Sequence, residues 1–138
     1  MKSGDKIRLE TLRTLRAGFM EKEIERRGSG APMTADDEIA VLTSAAKRRR
    51  ESIEQFEKGG RKDLVDQETR ELEIIQEYLP KQLTPGEIAG LIGTIARDVG
   101  AAAPGDFSKL MPAVMKQLKG KADGKMIQEL VRKHLEGT

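Results

Sequence analysis

The chain has 138 residues, and 25 Lys+Arg against 23 Asp+Glu leave a formal net charge of +2. That length fits one domain or two small ones, and the near-balance of charge excludes a uniformly basic nucleic-acid protein or an acidic tail. Aromatic residues make up only 3% of the chain and cysteine is absent, which favours packed helices over a sheet and excludes disulfides, thiolate metal sites and thiol catalysis.

The spacing predicts helices throughout. Leu9, Leu12, Leu15, Phe19 and Ile24 recur at helical intervals from Asp5 to about Arg27, and Gly28-Ser29-Gly30-Ala31-Pro32 ends that run. Thr34 stands three residues before Asp37, a capping-box variant with an acidic first turn. Ile39, Leu42, Ala46, Arg49, Ile53 and Phe56 follow in steps of three and four until Gly59-Gly60, where glycine supplies a left-handed cap. A third helix is predicted from near Asp63, with Val65, Glu68, Leu72, Ile75 and Leu79 on one face and Pro80 as its stop. The short turn makes the second and third helices antiparallel neighbours.

Beyond Pro80 the texture changes. Thr84-Pro85-Gly86-Glu87 combines a cap, a proline at the first helical position and a glutamate three beyond the cap. Ile88, Leu91, Ile92, Ile95 and Val99 form the stripe behind it, up to Gly100. Phe107, Leu110, Met111, Val114, Met115 and Leu118 predict a fifth helix, in which Pro112 should weaken or kink a turn, and Gly120 stops it. The last helix is predicted from Asp123, with Met126, Ile127, Leu130, Val131 and Leu135. The reading is an all-α chain: a hairpin-based N-terminal domain over residues 1–83 and a three-helix C-terminal domain over residues 84–138.

The net charge hides an asymmetry. Residues 1–80 carry 16 Lys+Arg against 17 Asp+Glu, net −1, whereas residues 81–138 carry nine against six, net +3. The excess comes from Lys109, Lys116, Lys119, Lys121, Lys125, Arg132 and Lys133.

Little in the chain points to catalysis. The one histidine, His134, has no serine or carboxylate arrangement beside it and reads as a surface side chain near a helix end, so multi-histidine metal sites are out. Ser3, Ser29, Ser44, Ser52 and Ser108 are scattered without a nucleophile elbow or a Ser-Lys pair. Gly120-Lys121-Ala122-Asp123-Gly124-Lys125-Met126 is one spacer short of a P-loop, has Met126 where Ser or Thr would hold magnesium, and follows no strand. No catalytic residue, cofactor or metal is expected.

That same segment has two readings. A helix N-terminus carries unpaired N–H groups and partial positive charge, and Lys121 and Lys125 flank it, so it could take an anion while Gly120 and Gly124 allow close approach. A glycine-stopped helix with solvated lysines accounts for the same spacing. Lys47-Arg48-Arg49-Arg50 lies beside Glu51, Glu54 and Glu57 and reads as a salt-bridged face. Arg49 and Glu68 fall on the apolar stripes of facing helices, which predicts an interhelical polar pair, or another partner for each. With so few aromatics, an RNA partner would be a folded one met through phosphates and shape.

Arg48-Arg49-Arg50-Glu51-Ser52-Ile53-Glu54-Gln55-Phe56, then Gly59-Gly60-Arg61-Lys62-Asp63-Leu64-Val65, Glu71-Leu72 and Tyr78-Leu79-Pro80, together with Lys119-Gly120-Lys121-Ala122-Asp123-Gly124-Lys125, resemble the GatB/YqeY family over nearly the whole chain. The stand-alone YqeY-like proteins are the nearer likeness. Members of that family carry further helical residues before the segment matching Met1 to Lys6, so apolar surface on the first helix is expected to be exposed. The resemblance implies kinship with the tail of the glutamyl/aspartyl-tRNA amidotransferase B subunit, a helical module that contacts tRNA away from the reaction centre. The full complex forms a carbon–nitrogen bond with glutamine as amide donor, but neither its kinase-like cradle nor its Ser-Lys machinery has a counterpart here.

Carried over residue by residue, the resemblance implies RNA contact at Lys119, Lys121, Lys125 and Lys133, with Gly120 and Gly124 permitting approach. It implies a non-catalytic tRNA-associated accessory protein, with tRNA and tRNA-related enzymes as partners. The alternatives are a component contributing to amidotransferase activity, or a helical protein-interaction module with no RNA role. The start of the chain lacks the apolar core of a signal peptide, and Ile88 to Ala96 falls short of the roughly 20 apolar residues that span a bilayer. A cytoplasmic protein without a membrane partner is expected.

Overall fold

A computed structural model describes residues 3–137; Met1, Lys2 and Thr138 lie outside it. Six α-helices follow one another among the described residues: α1 (Ser3–Gly28), α2 (Ala35–Lys58), α3 (Lys62–Gln76), α4 (Pro85–Val99), α5 (Phe107–Leu118) and α6 (Gly124–Glu136), with one 3₁₀ turn, Pro104–Asp106, leading into α5. The all-α class is as the spacing predicts. The chain divides into two compact units, the first ending at Pro80 and the second beginning at Lys81.

In the first unit, α2 and α3 form the hairpin and α1 packs on both. The Asp37 N–H donates to Thr34 Oγ1 at 3.1 Å, and the Thr34 N–H donates to Asp37 Oδ2 at 2.9 Å, so the predicted capping box is closed. Asp37 is buried and also receives the Arg26 guanidinium at 2.6 Å, tying the start of α2 to the end of α1. That hydrogen bond, with the one from the Thr34 backbone, holds its carboxyl well below the usual carboxylate range.

Of the two glycines after α2, Gly60 takes the left-handed cap, with φ 69°. The Arg61 and Gly60 N–H groups then reach back to Phe56 and Glu57, a Schellman stop. Helix α3 ends at Gln76, three residues before the predicted Leu79. The Tyr78 and Leu79 N–H groups bond to Ile75 and Gln76 in tight i to i−3 turns, because Pro80 keeps its predecessor out of helical geometry. The buried core here is small: a cluster of Leu15, Leu42, Ala46 and Ile75, flanked by Leu12, Phe19, Ala45, Leu72 and Leu79, with Ile74 buried as well.

In the second unit, Ile88, Ile92, Ile95 and Ala96 of α4 meet Leu110, Val114 and Leu118 of α5 and Ile127, Val131 and Leu135 of α6, all buried at steps of three and four. The box at Thr84 and Glu87 is closed as predicted, and Gly100 ends α4 at φ 72°. Helix α5 runs through Pro112 without a break. Pro112 is exposed, and Ser108, whose carbonyl loses its helical donor, is exposed too, so that carbonyl is open to solvent rather than orphaned in the core.

Candidate nucleic-acid interface

The basic excess of the second unit collects at the loop between α5 and α6. Helix α5 stops at Leu118, and Gly120 takes φ 77°, a value that favours glycine strongly over any residue with a Cβ. The Lys121 N–H donates to the Leu118 carbonyl at 2.9 Å, completing the turn. Asp123 then caps α6, its carbonyl accepting from the Ile127 N–H at 3.0 Å. Its side chain makes no cap bond to the first turn, whereas Thr34 and Thr84 close the N-termini of α2 and α4. The start of α6 thus keeps more of its donor capacity than those two.

Two bonds from a remote segment fix this loop. Gln82 Nε2 donates to the Gly120 carbonyl at 2.8 Å, and the Leu83 N–H donates to the Lys121 carbonyl at 2.9 Å. Gln82 and Leu83 therefore belong with the second unit, before the Thr84 cap. Neither was a candidate from the sequence, because no local period reveals a pairing across 38 residues.

Lys119, Lys121 and Lys125 are all exposed around this loop and the first turn of α6. Lys133 is exposed but stands eight residues beyond Lys125 in the last turn of α6, about 12 Å along the axis. Exposed Glu129 lies between them on the same helix, so the basic character does not run on unbroken. The arrangement gathers three of the four candidate lysines.

The glycines separate as well. Gly120 is buried and its carbonyl is taken, so the close approach expected of it is not available, and its role is the turn. Gly124 is partly exposed, and a Cβ there would meet Met115 Cε at an ordinary 3.9 Å.

Two further cations of this unit have contacts away from this loop. Arg132 lies over the Phe107 ring, 5.3 Å from its centroid. Lys109 Nζ comes within 3.7 Å of where a Cβ on Gly100 would stand, beside the carboxyl end of α4. Asp106 accepts from the Ala102 and Ala103 N–H groups, which lower its pKa. His134 is half-buried near the end of α6, with Cε1 3.8 Å from the Cβ position of Gly93 on α4.

The first unit holds a different polar centre. Arg49 Nε lies 3.7 Å from Glu68 and 3.3 Å from Glu71, so the predicted interhelical pair exists and has a third member. Glu71 was legible in principle, one turn beyond Glu68 on the same face. Burial raises the Glu71 pKa; Arg49 opposes that rise and the Glu68 carboxyl adds to it. Such a cluster sets hairpin register; it forms no acid–base pair in a cleft.

The chain matches the Yqey-like protein family over residues 1–135, from the first helix through α6. It belongs to the YqeY-like family. Among curated relatives, "Altered inheritance of mitochondria protein 41, mitochondrial" from Lachancea thermotolerans is 40% identical over 78 residues, 54% of this chain and 39% of that protein. The protein of the same name from Eremothecium gossypii is 37% identical over 79 residues, 57% of this chain and 42% of that one. A protein of Schizosaccharomyces pombe is 35% identical over 69 residues, 49% of this chain and 55% of its own length. The matched stretch thus spans from about two-fifths to just over half of these relatives. YqeY-like membership supports a protein similar to the B-subunit tail. Among the described residues no helix is long and apolar enough to cross a membrane, and no group of three or more His, Asp or Glu could hold a metal ion.

Proposed function

We propose that this YqeY-like chain is a tRNA-associated accessory protein that contributes no catalytic group of its own and binds through the loop and first turn that carry Lys119, Lys121 and Lys125. The observation that supports this reading most is the gathering of those three exposed lysines at a helix start whose cap side chain leaves its first N–H groups to other partners. Phosphates of a folded RNA suit it, since such contacts position without reading bases. Lys133, a turn from the far end, acts as an outlying contact at most. The expected setting is the cytoplasm, which imaging of a tagged chain checks.

Titration of tRNA at several salt concentrations tests this. Lys121→Ala with Lys125→Ala should weaken binding and lower the magnitude of the log–log salt slope by about 1.5, the loss of two phosphate contacts. An isotherm unchanged by the double substitution would sink the proposal. Amide formation by the purified chain with glutamine, ATP and mischarged tRNA would instead favour the amidotransferase-component reading.

A second reading, a helical protein-interaction module, is favoured by one observation. An open groove of about 540 Å³ on the first unit is lined by Leu12, Leu15, Phe19, Met20, Met33, Leu42 and Tyr78, and Met20 and Tyr78 are about half exposed. A single protein partner retained after nuclease treatment, and lost with Met20→Asp, would support it.

A further inference from the structure

The loop that carries Lys119 and Lys121 is not held by its own sequence. Within it the Lys121 N–H makes one turn bond, and Gly120 at φ 77° leaves the backbone free to choose among several paths in the absence of outside contacts. The outside contacts come from residues 82 and 83. The Leu83 side chain packs against the core of the second unit, and Thr84 next to it is locked in the α4 capping box. The segment is therefore anchored on two sides before it reaches the loop. From that anchor the Gln82 amide and the Leu83 N–H occupy the carbonyls of Gly120 and Lys121. Those two oxygens would otherwise face an incoming phosphate, and both are already bonded to donors; the Asp123 carboxylate at the start of α6 is the remaining acidic group of the loop.

We infer that Gln82 is a positioning residue for RNA binding: it touches no phosphate, and it holds the Gly120 peptide so that Lys119 and Lys121 stand ready around the start of α6. This rests on the proposed RNA reading. A preorganised loop pays no ordering cost on binding, whereas a loosened one pays it while making the same contacts. Loss of Gln82 should therefore lower affinity without changing the number of phosphates neutralised. A lost phosphate contact has the other signature, a flatter salt dependence.

The test uses Gln82→Met, which keeps the length of the side chain and removes the amide, and Gln82→Asn, which keeps the amide on a stem too short to reach Gly120. Both are titrated with tRNA across salt beside the parent and Lys121→Ala. Gln82→Met should bind about fivefold more weakly at every salt concentration, on the scale of one neutral hydrogen bond, with the parent's slope. Gln82→Asn should show a similar loss. Amide exchange at Leu83 and Lys121, whose N–H groups bond to the Lys121 and Leu118 carbonyls, should quicken in both, while the amides of Ile92 and Val131 stay protected and show the unit intact. If the parent binds and both variants match it in affinity and exchange, the positioning role is overturned and the RNA reading stands. A flattened slope in Gln82→Met would make Gln82 a direct contact and overturn it likewise. A parent that binds no tRNA removes the RNA reading and this role together.

Discussion

The two units solve the same problem with different means. The shorter second unit buries eleven apolar residues in one cluster, ten from its three helices and Ala101 from the loop after α4. The longer first unit has a buried cluster of four. What it lacks in apolar burial it replaces with ionic and hydrogen-bonded ties: Arg26 to Asp37, Arg8 to Glu77 at 2.7 Å, and Arg49 between Glu68 and Glu71. Long charged helices with narrow stripes can pack as a bundle, but each ion pair adds far less than a buried side chain of equal size. The result is a first unit whose α1 face stays partly open, with Ile24 64% and Met20 53% exposed. The second unit presents a firm platform for its lysines.

The sharpest way to break this comparison is to cut into each core. Ile92→Ala, at a fully buried site, should cost about 3–4 kcal/mol, and Leu15→Ala about 2 kcal/mol, because the groove beside Leu15 admits water into the space left. The protein has one tyrosine, Tyr78, and no tryptophan, so tyrosine fluorescence during urea unfolding follows the first unit while far-ultraviolet circular dichroism follows both. Leu15→Ala should shift the fluorescence transition. Equal losses at the two sites would erase the contrast.

A smaller effect, about 1–2 kcal/mol, is expected from Arg49→Ala, which leaves two neighbouring carboxylates without their cation. Its pH dependence sharpens the comparison further. Glu71 has a raised pKa, so the folded state holds its proton longer than the unfolded chain, and its contribution falls as pH rises above the ordinary glutamate value. Asp37 has the opposite sign: its stabilisation is present above the ordinary aspartate value and is lost as pH falls towards its depressed pKa. Glu71→Gln should therefore flatten the decline above about pH 4.5, and Asp37→Asn should remove part of the acid-side loss. Both should act on the tyrosine signal alone. A pH profile untouched by Glu71→Gln would dismiss the cluster as a stability determinant.

The smallest effects come from two glycines, one inside α4 and one capping it, that look alike in sequence. Gly100→Ala puts a Cβ on a left-handed residue and should cost about 1 kcal/mol, the Lys109 contact at 3.7 Å adding no clash. Gly90 is exposed, helical and open around its Cβ position, so Gly90→Ala should stabilise by about 0.5–1 kcal/mol. Thermal melts of the two variants should move in opposite directions.

Local chemistry made much of the fold legible. Thr34 with Asp37 and Thr84 with Glu87 predict caps because a side chain can satisfy N–H groups only three residues away. The stripes of α4, α5 and α6 predict burial because period alone decides which face is apolar. Sequence also placed Arg49 and Glu68 opposite each other, since charges on an apolar stripe must find partners. Long-range bonds decided the rest. His134 packs towards Gly93 and Gln82 reaches Gly120 through contacts that no local spacing encodes, whereas Glu71 joins Arg49 from one turn beyond Glu68, a place the spacing did offer. The lysines around α6 were named from the sequence by type and position. Only the tertiary structure separated Lys133 from the other three and turned Gly120 inward, because distance along a helix and burial in a loop depend on which segments of the chain meet in space.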